Sequence, residues 1–489
     1  MQKLRKAFAD DARQPRIIET LSKKGYRLIA AVSLPDASIK VEQSRETVVP
    51  ASGYRNLWMR AGMVAALIMV LATLATLVWL GARVVPADMD TREFMHNSIA
   101  VLPFDNLTGD PAQEYFADGM TDDLITRLAR NPGLLVIARD SSFFYKGRTI
   151  DIREVANKLK VRYILHGSIR RAGEETGFNA QLIDATTGSH LWAQRYDGPL
   201  SNVFELQGDV VGNIISALSI KKGMDEAPGV RRQETGSAEA YKYFLHARNR
   251  FFLYASKDEN RKARELYQKA IALDPDFALA YAMLAWTYAF EAMNGWSDVR
   301  EDSLAHAHVL ANQAVAIDKE LPIAYFVMGL VYRERGEYMK ALVEAEKAIA
   351  IDPNYANAHV LLATLLYYAG RPQEGLERIK KAMQINPHHP YNYPFHMGQA
   401  YFILGRYQEA IKVLEQRLET NPSSERMRDW LAAAYAQGGR EDDAKWEAEQ
   451  VLALNPDFSM QSIRQAFPFK DPADMERFLD GLRIAGINQ

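Results

Sequence analysis

IAYFVMGLVYRERGEYMKALVEAEKAIAIDP, residues 323–353, holds the reading of the fold in a single unit. Gly329 and Ala341 leave space where two helices cross, and Tyr332 fills the gap between them. Tyr325 and Ala348 complete the small-and-aromatic pattern, and Pro353 stops the second helix so that the next can reverse. The same pattern returns along the chain. Its anchors are Asp274-Pro275, Asp318-Lys319, Asp352-Pro353, Asn386-Pro387, Asn421-Pro422 and Asn455-Pro456, at intervals of 44, 34, 34, 35 and 34 residues. Neighbouring units carry Ala363, Leu366, Gly375 and Ala382, then Gly398, Tyr401 and Ala410, then Ala432, Tyr435 and Ala444, while Ala263, Tyr267 and Ala270 mark an earlier one. The long interval holds an insertion around Asn294-Gly295-Trp296 that reads as a loop. A sustained period outranks local detail and predicts an all-α solenoid over residues 237–457. Residues 458–489 then form a capping segment, with a last amphipathic helix from Pro472 to Ile484.

The amino end has a different texture. AGMVAALIMVLATLATLVWLGA, Ala61 to Ala82, carries no charge and lies between Arg60 and Arg83. Its 22 residues would cover about 33 Å as a helix, against about 30 Å of hydrocarbon, so it predicts a transmembrane helix. Residues 1–60 hold 12 basic and 6 acidic side chains, whereas the whole chain has a net charge of −2. Positive charge stays inside, so the expected placement is single-pass in a bacterial inner membrane, amino terminus cytoplasmic and bulk periplasmic. The chain has no Cys, which excludes disulfides, thiol chemistry and Cys–zinc sites. At 489 residues it needs more than one domain.

Within residues 1–34, Leu4 to Phe8 read as the last turn of a basic helix. Ile17 to Thr20 and Tyr26 to Ala30 read as short strands about a Lys23-Lys24-Gly25 turn. Residues 35–60 read as a linker. From residue 98 to 220 the order is β-α-β-α-β-β-β-α: strands at 98–104, 134–138, 163–170, 178–184 and 190–196, and helices at 113–131, 152–160 and 204–218. That is one α/β domain. Asp105, Asp110, Asp118, Asp122 and Asp123 form an acidic cluster within it. They read as caps and turns, with Thr121-Asp122-Asp123 at a helix start.

Three resemblances attach to these residues. LRKAF, RQPR and KKGYRLIA resemble the carboxyl end of an OmpR/PhoB-type winged helix, as used by ToxR/CadC-type membrane-anchored regulators. The resemblance implies a DNA-facing set of Lys3, Arg5, Lys6, Arg16, Lys23, Lys24, Tyr26 and Arg27. The leading strands, first two helices and most of the recognition helix of that family would precede Met1. Two readings follow: a start codon placed too far downstream, or a decayed regulator. SIAVLPFDNLTGDPAQEYFADGM and YILHGSIRRAG are similar to the TolB-like amino-terminal-type domain, an expected binding or assembly unit. The 34-residue units resemble tetratricopeptide repeats. That likeness implies a partner groove lined by Trp286, Phe290, Phe326, Arg333, Asn357, Tyr367, Asn392, Phe395, Gln399 and Phe402.

The expected fold class is therefore multidomain: a partial winged-helix remnant, one transmembrane helix, a TolB-like α/β domain and an all-α repeat solenoid. No Gly-x-Ser-x-Gly elbow or phosphate-binding Gly-rich loop occurs, so no enzyme activity and no cofactor are expected. His306-x-His308 and His388-His389 read as solvated side chains rather than a metal site. The expected function is a membrane-anchored sensor of the transcriptional-regulator lineage. It would bind a periplasmic protein, peptide or other ligand, with DNA a partner only if the winged helix is complete, and would signal as a homodimer. The alternative is an anchored repeat scaffold for envelope assembly without DNA binding.

Overall fold

A computed structural model describes residues 18–21, 25–28, 95–149, 151–172, 175–199, 203–218, 235–253, 256–390, 392–419, 421–422, 424–467 and 469–487. The chain divides into two compact units, Met1–Ala87 and Asp88–Gln489. In the first, strands β1 (Ile18–Leu21) and β2 (Gly25–Leu28) pair antiparallel, with Thr20 opposite Tyr26 and Glu19 opposite Arg27. Lys3, Arg5, Lys6, Arg16, Lys23 and Lys24 lie outside the described residues.

The second unit begins with a twisted sheet. Strand β3 (Met95–Val101) lies between β5 (Leu135–Val136) and β6 (Val161–Ala172), parallel to both. The short β4 (Asp105–Asn106) also pairs with β6, and β7 (Glu175–Asp184) and β8 (Ser189–Pro199) continue the sheet antiparallel. Burial follows position. Ser98 to Leu102 are buried without alternation because helices cover both faces of a central strand. Ile99 and Val101 face helices α1 (Glu114–Ala129) and α4 (Val203–Ala217), and Ala100 and Leu102 face α3 (Ile152–Leu159). In β7, Phe178, Ala180 and Leu182 are buried while the residues between them are half-buried, the mark of a strand with one wetter face. The strand read at 134–138 is shorter in the structure, Leu135–Val136. A short helix, α2 (Arg139–Phe143), follows it, which the sequence reading does not include.

From Ala238 the described chain runs as six successive helix pairs: α5 (Ala238–Leu253) with α6 (Lys257–Leu273), α7 (Ala278–Met293) with α8 (Arg300–Ile317), and α9 (Pro322–Glu334) with α10 (Tyr338–Ile351). Then come α11 (Ala356–Tyr368) with α12 (Pro372–Ile385), α13 (Asn392–Ile403) with α14 (Tyr407–Leu418), and α15 (Glu425–Gln437) with α16 (Glu441–Leu454). The turn inside the last four pairs is one device repeated. Gly336, Gly370, Gly405 and Gly439 each take φ between +72° and +78°. The following N–H donates to the carbonyl five residues back: Glu337 to Tyr332, Arg371 to Leu366, Arg406 to Tyr401 and Arg440 to Tyr435, at 2.8–2.9 Å. This is the left-handed helix ending that glycine supports without a Cβ clash. Helices α17 (Met460–Ala466) and α18 (Pro472–Ile484) close the array, with Phe478 stacked on fully buried Trp430 at 4.2 Å.

Two expectations need correction. The described residues are mostly helical, dominated by a tetratricopeptide-like solenoid, and no transmembrane helix is found among them. Among the described residues no helix is long and apolar enough to cross a membrane, and residues 61–82 lie outside them. The physical reason is visible in the array. The apolar α7 has 16 residues, about 24 Å, and α8 has 18 but opens on Arg300-Glu301-Asp302. The single-pass inner-membrane placement falls with it.

Crossings in the solenoid depend on missing side chains. A Cβ on Gly375 would lie 2.3 Å from the ring of fully buried Tyr367 and 2.9 Å from the Ala363 carbonyl oxygen. Gly375→Ala is expected to lose net stability in urea titration, since overpacking costs about 1–3 kcal/mol against about 1 kcal/mol of helix propensity gained. Gly212→Ala, on exposed helix surface with no atom within 4 Å of the added carbon, is expected to raise stability by about 0.5–1 kcal/mol.

Candidate functional site

Helix α1 carries the acids that the sequence suggests as caps. Gln113, not Thr121, precedes the helix, so Thr121, Asp122 and Asp123 lie inside it. Thr121 donates its hydroxyl to the Ala117 carbonyl at 2.9 Å and accepts the Phe104 N–H at 3.0 Å. Asp123 is 2% exposed and turned toward the array. One of its oxygens accepts from Arg248 Nη1 at 2.8 Å, and the other from Gln207 Nε2 at 3.0 Å and from the Tyr241 hydroxyl. Arg248 also donates to the Gly119 carbonyl at 2.9 Å, and its Nε lies 3.3 Å from Asp122. Burial alone would lower the Arg248 guanidinium, but the Asp123 and Asp122 carboxylates outweigh it and leave its pKa raised.

Asp118, also buried, takes both of its short bonds from Lys146 at 2.6 Å, and desolvation still raises its pKa. Asp105 and Asp110 differ. They sit in β4 and in the turn where the Asp110 carbonyl accepts the Gln113 N–H.

A second set of bonds joins the sheet to the middle of the array. Asn354, in the loop before α11, donates to the carbonyls of Ala129 and Leu134 at 2.9 Å each and accepts the Val136 N–H at 3.3 Å. Ala138 N–H donates to the Ile385 carbonyl at 2.8 Å, and Ser141 donates to Asn386 at 2.5 Å while accepting the His388 N–H at 2.7 Å. His388 is not a solvated side chain. Its ring stacks on Phe144 at 4.0 Å and meets the Tyr145 hydroxyl at 3.0 Å, and burial, aided by Arg148 and Lys158, lowers its pKa. His306 Nδ1 lies 2.7 Å from the Asp302 carbonyl, and His308 meets the Tyr332 hydroxyl at 3.1 Å.

The α/β body therefore rests against the first helices of successive repeats, and a cavity of about 380 Å³ remains between them. Of the expected groove residues, Trp286, Phe290 and Asn357 line this cavity. Phe326 packs edge-on to Trp286 at 5.5 Å, and Tyr367, Gln399 and Phe402 are at most 1% exposed. Phe395 is 9% exposed. Arg333 and Asn392 are half-buried, and Arg333 lies 2.7 Å from Glu334. Sequence analysis missed Arg130, Arg139, Arg248, Asp352 and Asn354. The recurrent Asp-Pro or Asn-Pro loop is legible in the sequence, but its partner is not.

Comparison with known proteins assigns the two halves. The family model of the HilA/YgeH-like transcriptional regulator, second domain, matches residues 95–210. Tetratricopeptide repeat models match residues 266–298 and 395–457, and the model of anaphase-promoting complex, cyclosome, subunit 3 matches 334–417. A Rhizobium meliloti (strain 1021) protein named "Putative adenylate cyclase 3" is 42% identical over 249 residues, covering 51% of this chain and 41% of that protein. The chain thus spans about two fifths of the curated relative it matches.

Among solved structures, the APC/C hetero-tetramer Cut9-Hcn1 is 15% identical with a TM-score of 0.40, covering 58% of this chain and 46% of that one. YrrB, described as a TPR protein with an unusual peptide-binding site, is 22% identical with a TM-score of 0.32 over 42% of this chain and 98% of that one. Pseudomonas aeruginosa pilF is 16% identical with a TM-score of 0.37 over 46% and 96%. The carboxyl-terminal half is a tetratricopeptide repeat array, and the segment ahead of it matches a transcriptional-regulator domain.

Two outcomes follow. Asn354→Ala leaves two carbonyls and one N–H buried without partners, and is expected to cost about 2–5 kcal/mol in denaturant unfolding. Asp352, 6% exposed, has its carboxyl pushed up to about 6 by burial. The folded state therefore holds the proton more tightly than the unfolded chain, so this group's contribution is most favourable below pH 4 and is lost as pH rises to 6. Asp352→Asn is expected to leave stability unchanged at pH 4 and to raise it by up to about 3 kcal/mol at pH 7, read from paired denaturation curves.

Proposed function

We propose that this chain is the signal-receiving body of a protein of the transcriptional-regulator lineage and that it performs no catalysis itself. One observation carries the reading: the regulator-like segment and the repeat array share a core and a buried ion pair, Asp123–Arg248. A partner or ligand bound to the array would thus act on the regulator-like segment through packed atoms rather than through a loose linker. Repeat arrays of this kind generally bind peptides or proteins, and the partner here would be a protein segment meeting the array at its accessible groove positions, Arg333 among them. The cyclase-named relative fits the same reading if the shared 249 residues are its receiving portion. DNA contact would come through Tyr26, Arg27 and the basic residues around β1 and β2 in a complete winged helix, and signalling would proceed by change of association between two copies.

Deleting the gene and profiling transcripts tests this. A defined set of transcripts is expected to shift, to return with the wild-type chain, and to stay shifted with Arg333→Glu, whose partner capture should weaken by about tenfold. An unchanged transcript profile beside an intact partner complex would sink the regulatory reading in favour of a scaffold.

A further inference from the structure

The cavity between the α/β body and the array has two unmated charges of opposite sign. The Arg130 guanidinium makes no hydrogen bond or ion pair with any described residue, and its buried Nε has no acceptor. Asp352 accepts the Asn354 N–H at 2.8 Å through one oxygen, and no described donor meets the other. Arg130 is near enough to draw the Asp352 pKa down slightly against the desolvation that raises it, yet the two form no ion pair. One more buried donor on the same cavity, the Tyr355 hydroxyl, lacks an acceptor, and Arg139 Nε makes no hydrogen bond although it lies 3.7 Å from Asp122. The other acids on the cavity are engaged: Asp123 by three donors, Asp122 by Arg248 and Arg139, and Asp140 by the Asn386 amide at 3.4 Å.

Across the cavity the surface is aromatic. Phe251, Phe252, Trp286 and Phe290 meet edge to face at centroid separations of 5.2–5.7 Å, and all four line the space. Native proteins rarely leave buried donors without acceptors, and each one so left costs stability. A bare anion would satisfy the guanidinium but face Asp352, a bare cation would do the reverse, and an apolar ligand would strand both. A volume of about 380 Å³ is within the range of small-molecule sites.

We infer that this cavity binds a free α-amino acid with a large apolar side chain, its carboxylate on Arg130 and its ammonium on Asp352. The side chain lies against the Phe251–Trp286 face, and Arg139 and Tyr355 donate to the carboxylate. Because the floor belongs to the regulator-like segment and the aromatic side to the repeats, the ligand holds the two together.

Calorimetric titration of the full chain tests this, with L-phenylalanine, L-tryptophan and L-leucine set against 3-phenylpropionate and phenethylamine. Saturable binding of at least one amino acid is expected, with each half-analogue weaker by about tenfold or more. Arg130→Met should weaken L-phenylalanine while leaving phenethylamine unchanged, and Asp352→Asn should weaken L-phenylalanine while leaving 3-phenylpropionate unchanged. Three results would overturn the assignment: no saturable heat with any of the amino acids at millimolar concentration, half-analogues binding as tightly as the zwitterion, or both variants acting alike on every probe. The wild-type series decides the question even if a variant folds poorly.

Discussion

The buried pair of Asp123 and Arg248 fixes where everything else in the second unit can sit. Two charges taken out of water are tolerated only when their remaining hydrogen-bonding capacity is filled. Here Gln207, Tyr241 and the Gly119 carbonyl fill it, and they come from three different helices. Moving α1 or α5 by even an ångström would leave one of these groups facing apolar side chains. The pair therefore acts as a register pin between a sheet domain and the first repeats. Asn354, more than 200 residues from its partners in sequence, pins the other end.

The two pins change the meaning of the repeat groove. In an isolated array the first helices of each pair would present their aromatic residues to solvent or to a partner. Here the α/β body occupies much of that space, so Trp286 and Phe290 line a cavity beneath it. Shared cores follow from the same arrangement. One apolar cluster runs from Ile99 and Phe178 in the sheet to Phe277 and Met283 in the array.

Local rules make the solenoid legible in the sequence. A 34-residue period, small residues at helix crossings and Pro or Asn-Pro at helix ends all follow from contacts made within a few dozen residues. The sheet strands were legible for the same reason, because alternation and turn residues are local. The roles of Asp118, Asp122 and Asp123 were not. An acid in a helix looks alike whether it caps a turn or meets an arginine 125 positions later, and Thr121 ahead of two acids imitates a helix start. His388 misled in the same way, since the ring it stacks on lies far away in sequence. The apolar run at 61–82 is a reading of composition alone, and the described helices supply no membrane span to go with it.

The segment between residues 219 and 234 looks like a natural place to cut, since repeats begin soon after it. Packing says otherwise. A repeat fragment begun there would leave the Tyr241 hydroxyl without Asp123 and Gln207, and Arg248 without both of its counter-ions. In the matching piece from the amino side, buried Asp123 would lose the Arg248 guanidinium and the Tyr241 hydroxyl. The two halves form one compact unit, and a boundary placed by sequence between them cuts through a shared ion pair and a shared core.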